Sequence, residues 1–250
     1  MEPLAAPKFT FNASMKSAEI KLLSTTALKT TIDELTPQIE HACGKKLAAS
    51  YAPSTQVAKR VAEGEAADVA IATGAGIDEL IKQGRIIAGT RVDVARSAIG
   101  VAVRPGASKP DISSVAAFKQ ALLAAKSIGM SNPVGGGASG IHLWSVFERL
   151  GIADALKPKT IFGPGGPAGL IGLYLLRGEV EIGLQQMPEL MAVPGIDVVG
   201  PVPGELQSIT QFSAGIPANA NDAEAGKALA KFLTTPAAAK VMQKKGMEPA

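Results

Sequence analysis

The chain has 250 residues, 46% hydrophobic and 19% charged, enough for one large domain or two lobes of about 100 to 120 residues each and too apolar for a disordered chain. Its 25 basic and 22 acidic residues are interspersed and leave a formal charge of +3, so no run resembles a nucleic-acid tail and nucleic acid is not expected as a partner. Aromatics, at 4%, are too scarce for base-stacking platforms or carbohydrate sites, and the expected ligand is small and polar.

Cys43 is the single cysteine. It has no internal disulfide partner, and no Cys/His cluster shows metal-ligand spacing, so neither metal nor cofactor is expected. No apolar run reaches the roughly 18 residues that span a bilayer. Residues 1–16, MEPLAAPKFTFNASMK, lack the charged and apolar regions of a secretory signal. Two locations stay open: inside the cell, or outside it with the leader absent from this chain.

In chain order, residues 1–17 read as an N-terminal tail. The first strand-like run, 19–23, leads through Ser24-Thr25-Thr26 into a helix that sets Leu28, Ile32, Leu35 and Ile39 on one face and stops near Gly44. Pro37 is expected to interrupt and bend it. A second run, 46–50, passes through Tyr51-Ala52-Pro53 to Ser54-Thr55-Gln56 and a helix over 56–63, closed by Gly64. The run 68–72 precedes a short helix at 78–82. The run 97–103 ends at Arg104-Pro105-Gly106, an exit from one lobe.

Beyond it, 126–130 opens into Ser131 to Gly140, SNPVGGGASG, and a helix over 141–150. The run 159–162 leads to a second glycine-rich stretch, 163–168, and a helix over 167–177. Strand-like runs at 179–184 and 196–199 follow, then an extended passage at 207–216 that returns the chain, and helices at 223–233 and 236–245. Such alternation means crossover connections and mostly parallel sheets, so the class is α/β. Two extended passages make two lobes with a hinge and a cleft: lobe 1 from 18–98 plus 212–250, lobe 2 from 99–211.

GGGASG at 135–140 satisfies the dinucleotide template G-x-G-x-x-G, but its context fails. A P-loop needs Lys-Ser or Lys-Thr where this chain has Ile141-His142. A Rossmann fingerprint belongs in the first strand-to-helix turn with an acid about 20 positions on, whereas this match lies past mid-chain and Glu148 and Asp154 fall on or just beyond its helix. The four small or hydroxylated junctions suggest something else. In open α/β sheets ligands sit at the carboxyl ends of strands, where helix N-termini offer unpaired N–H groups and a positive dipole end. Several such ends hold an oxyanion without a dedicated lysine. Taken singly, each Ser or Thr reads equally as an N-cap.

Ser24-Thr25-Thr26, Tyr51-Ala-Pro-Ser-Thr-Gln-Val57, Gly64-Glu-Ala-Ala-Asp68, Ala138-Ser-Gly-Ile141 and Arg177-Gly-Glu-Val-Glu-Ile-Gly183, in this order, resemble successive blocks of the periplasmic molybdate-binding proteins of ABC importers. The resemblance implies the type II periplasmic binding-protein fold, two α/β lobes joined by two crossing strands, working as a monomer with a membrane permease. Carried over by position, it implies ligand contacts at Ser24, Thr25 or Thr26, at Ser54 or Thr55, at Ser131, Ser139 and Gly140, and at the N–H of Ala168. Where the molybdate binders carry a tyrosine after the last strand of the second lobe, this chain has Gln185-Gln186. Two amides and a wide glycine loop suit a flatter ligand with several carboxylates, and Arg96 is the candidate for a bidentate carboxylate clamp.

Some proteins on this branch resemble periplasmic isomerases of unsaturated tricarboxylic acids such as aconitate. Moving a double bond requires removing and returning one proton. His142, just inside a helix whose N-terminus favours the neutral ring, is then the candidate base. Three functions follow: capture of a small anion for an importer, isomerisation on the same scaffold, or ligand sensing in the cytoplasm.

Overall fold

The computed structural model describes residues 18–250; the N-terminal tail expected at 1–17 lies outside the described residues. The first part of the chain forms β1 (Glu19–Thr25), α1 (Lys29–Cys43), β2 (Lys46–Ala52), α2 (Ser54–Ala62), β3 (Val69–Thr73), α3 (Gly74–Lys82) and β4 (Val92–Ser97). A second run follows: β5 (Ile99–Val103), α4 (Val115–Ala124), β6 (Ile128–Ser131), α5 (Ala138–Arg149), α6 (Ala153–Leu156), β7 (Thr160–Gly163), α7 (Ile171–Leu176), β8 (Ile182–Gln186), α8 (Met187–Met191) and β9 (Asp197–Pro201). The chain then closes with β10 (Thr210–Gly215), α9 (Ala223–Phe232), α10 (Pro236–Lys244) and β11 (Glu248–Pro249).

Two sheets result, β11-β4-β10-β3-β1-β2 and β7-β6-β8-β5-β9. Within each, four strands share one direction; β10 and β11 oppose it in the first sheet and β5 in the second. Each sheet lies between helices. On one face of the first, Ile32, Leu35 and Ile39 of α1 pack with Ile71, Phe212 and Leu229; on the other, Val57 of α2 and Ile77 of α3 meet Leu23 and Ala70. All but Leu23 and Phe212 are fully buried, and each large aliphatic side chain withdrawn from water contributes about 1.5 to 3 kcal/mol. The second sheet has its own clusters, around Phe118, Met130 and Phe147 and around Ile171 and Leu175.

Three local expectations change. The run read as a single strand over 97–103 is divided at Ala98: Val92–Ser97 pairs with β10 in the first sheet, and Ile99–Val103 pairs with β8 and β9 in the second. An apolar run marks burial but does not show which sheet buries it. The side chain of Gln207, on the returning passage, binds both backbone groups of Ile99, accepting from its N–H (2.8 Å) and donating to its carbonyl (2.9 Å). The two passages between lobes are thereby tied together at the hinge.

The helix expected over 167–177 is also divided. A 3-10 turn, Pro167–Gly169, is separated from α7 by the extended Leu170, and the Gln185 amide takes up the groups the break exposes, accepting from Ile171 N–H (2.8 Å) and donating to Gly169 O (3.3 Å). Pro37, finally, does not interrupt α1, which runs through it. Pro37 lies on the exposed face, where water takes the carbonyl left without an N–H.

Candidate functional site

The strand-to-helix junctions of the two lobes meet across one cavity. From the first lobe come Thr25 and Thr26, where β1 ends, Ser54 at the start of α2, and Phe212 of β10. Ser54 Oγ donates to Thr25 Oγ1 at 3.0 Å, and Ser24, fully buried behind them, donates to the Thr25 carbonyl at 3.3 Å. Second-lobe walls are Ser131, Asn132 and Ser139, the glycine-rich turn 163–166, and Gln185, Gln186 and Glu189. Ser139 Oγ and Gln185 Nε2 both lie 3.4 Å from Ser131 Oγ.

The lobes touch where glycine allows it. Gly136 has φ +84°, and a Cβ there would lie 1.4 Å from Thr55 Oγ1; Gly165, also at φ +84°, would drive one to 2.5 Å from Pro53 Cγ. The two glycine loops of the second lobe therefore rest on the β2–α2 junction of the first, with Gln56 Nε2 donating to Gly135 O at 3.4 Å. Any side chain at these positions would hold the lobes apart.

Capping decides what the hydroxyls are for. Helices α3, α4, α9 and α10 each have a side-chain N-cap, from Thr73, Ser114, Asp222 and Thr235. By contrast α2 and α5, which begin at the cavity, follow Pro53 and Gly137 and have none. Their first-turn N–H groups are left for something else, and a helix start with free N–H groups attracts negative charge. Two buried side-chain atoms on cavity residues also lack partners: Thr26 Oγ1 and Gln186 Oε1. Gln186 Nε2 donates to Thr210 Oγ1 at 2.8 Å. Because a hydroxyl both donates and accepts, the amide turns to present either end to a ligand.

Among the described residues no lysine or arginine lines the cavity, and its one titratable group is Glu189. Glu189 stands in the first turn of α8, partly buried. Burial pushes its carboxyl up to about 7, a backbone hydrogen bond at Gln186 opposing the shift in part. The sequence reading did not find this residue, although Gln-Gln-Met-Pro-Glu189 is a further strand-to-helix junction with proline and acid in the first turn. Among the described residues no group of three or more His, Cys, Asp or Glu is placed to hold a metal ion.

The residues expected in the site divide in two. Thr25, Thr26, Ser54, Ser131, Ser139, Gln185 and Gln186 line the cavity and Ser24 backs it. Others lie elsewhere. Thr55 is exposed and meets Gly136; a Cβ on Gly140 would fall 2.1 Å from Ser131 O, so this glycine serves close packing of α5 on β6. Ala168 is exposed in the turn after 163–166, which lines the cavity in its place. Arg96 is no clamp here: its side chain is 47% exposed and faces Glu248 and Pro249 O on the outer edge of the first sheet, because the edge strand β11 pairs with β4 and sets Glu248 opposite it. His142 does not line the cavity. Its Nε2 lies 2.8 Å from Leu206 O; a carbonyl only accepts, so this nitrogen carries a proton.

Two mixed α/β lobes, crossed by paired passages and closed on a cavity of neutral donors, define a two-lobed binding protein of the type II periplasmic fold. A model of the bacterial extracellular solute-binding proteins matches residues 20–248, and the chain belongs to that family. It is 36% identical over 243 residues to an aconitate isomerase of a Pseudomonas species, across 95% of this chain and 90% of that protein. The periplasmic molybdate-binding protein of Azotobacter vinelandii superposes with a TM-score of 0.76 at 17% identity, over 91% of this chain and 98% of that one. The sulfate-binding protein of Mycobacterium tuberculosis superposes with a TM-score of 0.74 at 16% identity, over 93% and 87%. These two likenesses speak to the fold alone.

Proposed function

We propose that the cavity closes on an unsaturated tricarboxylate and that the protein interconverts the cis and trans forms of an acid of aconitate type, outside the cytoplasm. The observation that carries anion capture is the pair of uncapped helix starts, α2 and α5, at a cavity lined by no cation among the described residues. Free N–H groups and hydroxyls stabilise charge that spreads over several oxygens without pinning it at one point. The amides of Gln185 and Gln186 suit carboxylates that differ in protonation. The 36% identical relative supports aconitate as the substrate.

A second reading is capture of the same class of anion for import, with a membrane permease as partner. It is favoured by the family's description and by the lobe contacts at Gly136 and Gly165, which suit closing on a ligand as much as turnover. Incubation with cis-aconitate, followed by NMR, separates the two. Appearance of the trans isomer supports the isomerase; saturable binding with no conversion supports import. A thermal-shift response to sugars and to no anion ends both readings, since a ligand that favours the native state raises its stability.

A further inference from the structure

We propose that the Glu189 carboxylate is the base that removes and returns the proton in this isomerisation. The inference rests on the isomerase reading and names the group that performs it. It stands first on geometry: among the described residues Glu189 is the one titratable side chain that lines the cavity, while His142 does not line it and has its Nε2 bound to the Leu206 carbonyl. The hydroxyls of Thr25, Ser54, Ser131 and Ser139 ionise far too weakly, and amides do not serve.

The surroundings leave this carboxyl without an ionic partner among the described residues. Helix α8 packs on β5, β8, β9, α7 and the turn at 26–28. Of these, β5, β8 and the turn carry no titratable side chain. Tyr174 of α7 lies under the Arg177 guanidinium at 4.6 Å, and Asp197 of β9 accepts from Gly106 N–H at 2.9 Å. The segment after α10 reaches Met187 and Met191 at Gly246, but its flanking Lys244 and Lys245 bind Glu34, and Glu248 faces Arg96. Among the described residues no cation thus compensates desolvation, which places the carboxyl where both protonation states are populated at neutral pH.

The step balances without a co-reactant. Glu189 takes a proton from the substrate's methylene carbon, breaking C–H and forming O–H, and the electron pair spreads over the neighbouring double bond and carboxylate. The same O–H then delivers the proton to the former vinylic carbon. The double bond moves by one carbon and nothing is oxidised or reduced. Charge that develops on the substrate carboxylates falls on the uncapped starts of α2 and α5.

Glu189→Gln retains size and hydrogen bonding but cannot hold the proton. Expected are a loss in kcat of about a thousandfold and a Kd for trans-aconitate within about threefold of wild type. A kcat within about tenfold of wild type, or a loss confined to KM, overturns the assignment. In wild type, kcat/KM should rise with pH through about 7, because the base must be ionised. The limb seen in kcat should lie higher, since bound carboxylates hold the proton on Glu189. Glu189→Asp, the safeguard against a misfolded Gln variant, should displace the limb and leave a measurable rate. A flat profile from about pH 5 to 8 overturns the proposal. Wild type inactive on both isomers sinks the isomerase reading together with this one; active wild type with an indifferent Glu189→Gln sinks this one alone.

Discussion

The two walls of the cavity are built differently. The first-lobe wall is a fixed set of hydroxyls, Ser54 bound to Thr25 and Ser24 bound behind it, at the ends of β1 and β2 in a six-stranded sheet. The second-lobe wall is made of two glycine loops, two serines, three amides and an acid. One wall holds charge with groups already placed by their neighbours. The other supplies close approach, adaptable donors and a group able to change charge. Division of this kind puts stability and anion capture on one side, and shape and reactivity on the other.

The sharpest break of that contrast is Gly136→Val. A β-branched side chain at φ +84° is strained, and its Cβ would occupy the place of Thr55 Oγ1. Closure should fail, weakening binding of trans-aconitate by about a hundredfold or more, close to 3 kcal/mol, by calorimetry. Melting temperature without ligand should fall far less, because the clash is with Thr55 of the other lobe and is relieved when the lobes part.

Next comes a pH effect on stability from Glu189. Its native carboxyl titrates at about 7 against an ordinary 4.5, so as pH rises between these values the unfolded chain ionises first and the native state loses stability. Below this window the contribution is nil; above it the loss is complete, at most about 3 kcal/mol. Glu189→Gln removes the loss and should therefore exceed wild type in denaturant stability at about pH 8, while matching it at about pH 4. Equal differences at both pH values would contradict the burial argument.

Ser54→Ala tests the fixed wall. Deleting this hydroxyl removes one donor and leaves Thr25 Oγ1 short of a partner, so affinity should drop about tenfold with under about 1.5 kcal/mol lost in folding. Arg96→Ala should sit at the bottom of the scale. Its ion pair at 3.7 Å is exposed, and both anion affinity and stability should stay within about 0.5 kcal/mol of wild type. A large loss of affinity would return Arg96 to the site.

Much of the site was legible because hydroxyls and glycines follow each strand directly. Ser24-Thr25-Thr26, Ser54 and Ser139 could be picked out by position alone, as local chemistry at strand ends, whereas the paired glutamines stood out only against the resembled family's tyrosine. Their N-cap role could not be judged, since capping depends on whether a hydroxyl turns toward its own helix, as Thr73 does, or toward another segment, as Ser54 does. Glu189 escaped notice because an acid in a first turn reads as an ordinary helix start; burial by a cavity wall of remote residues is what changes its chemistry.

Apolar runs, glycine stops and the lack of clustered charge determined, from the sequence by itself, that this chain is α/β with crossover connections, and set the expectation of a small anion held by neutral groups. These are short-range properties, set by propensity and by alternation along the backbone. The tertiary structure alone decided that the strand run at 97–103 changes sheet at Ala98, that His142 binds the Leu206 carbonyl and Arg96 faces Glu248, that Gly136 meets Thr55, and that Glu189 stands without a counterion among the described residues. Each depends on contacts between residues far apart in the chain, and packing, which sets direction, burial and dielectric around a side chain, has no signature in the residues beside it.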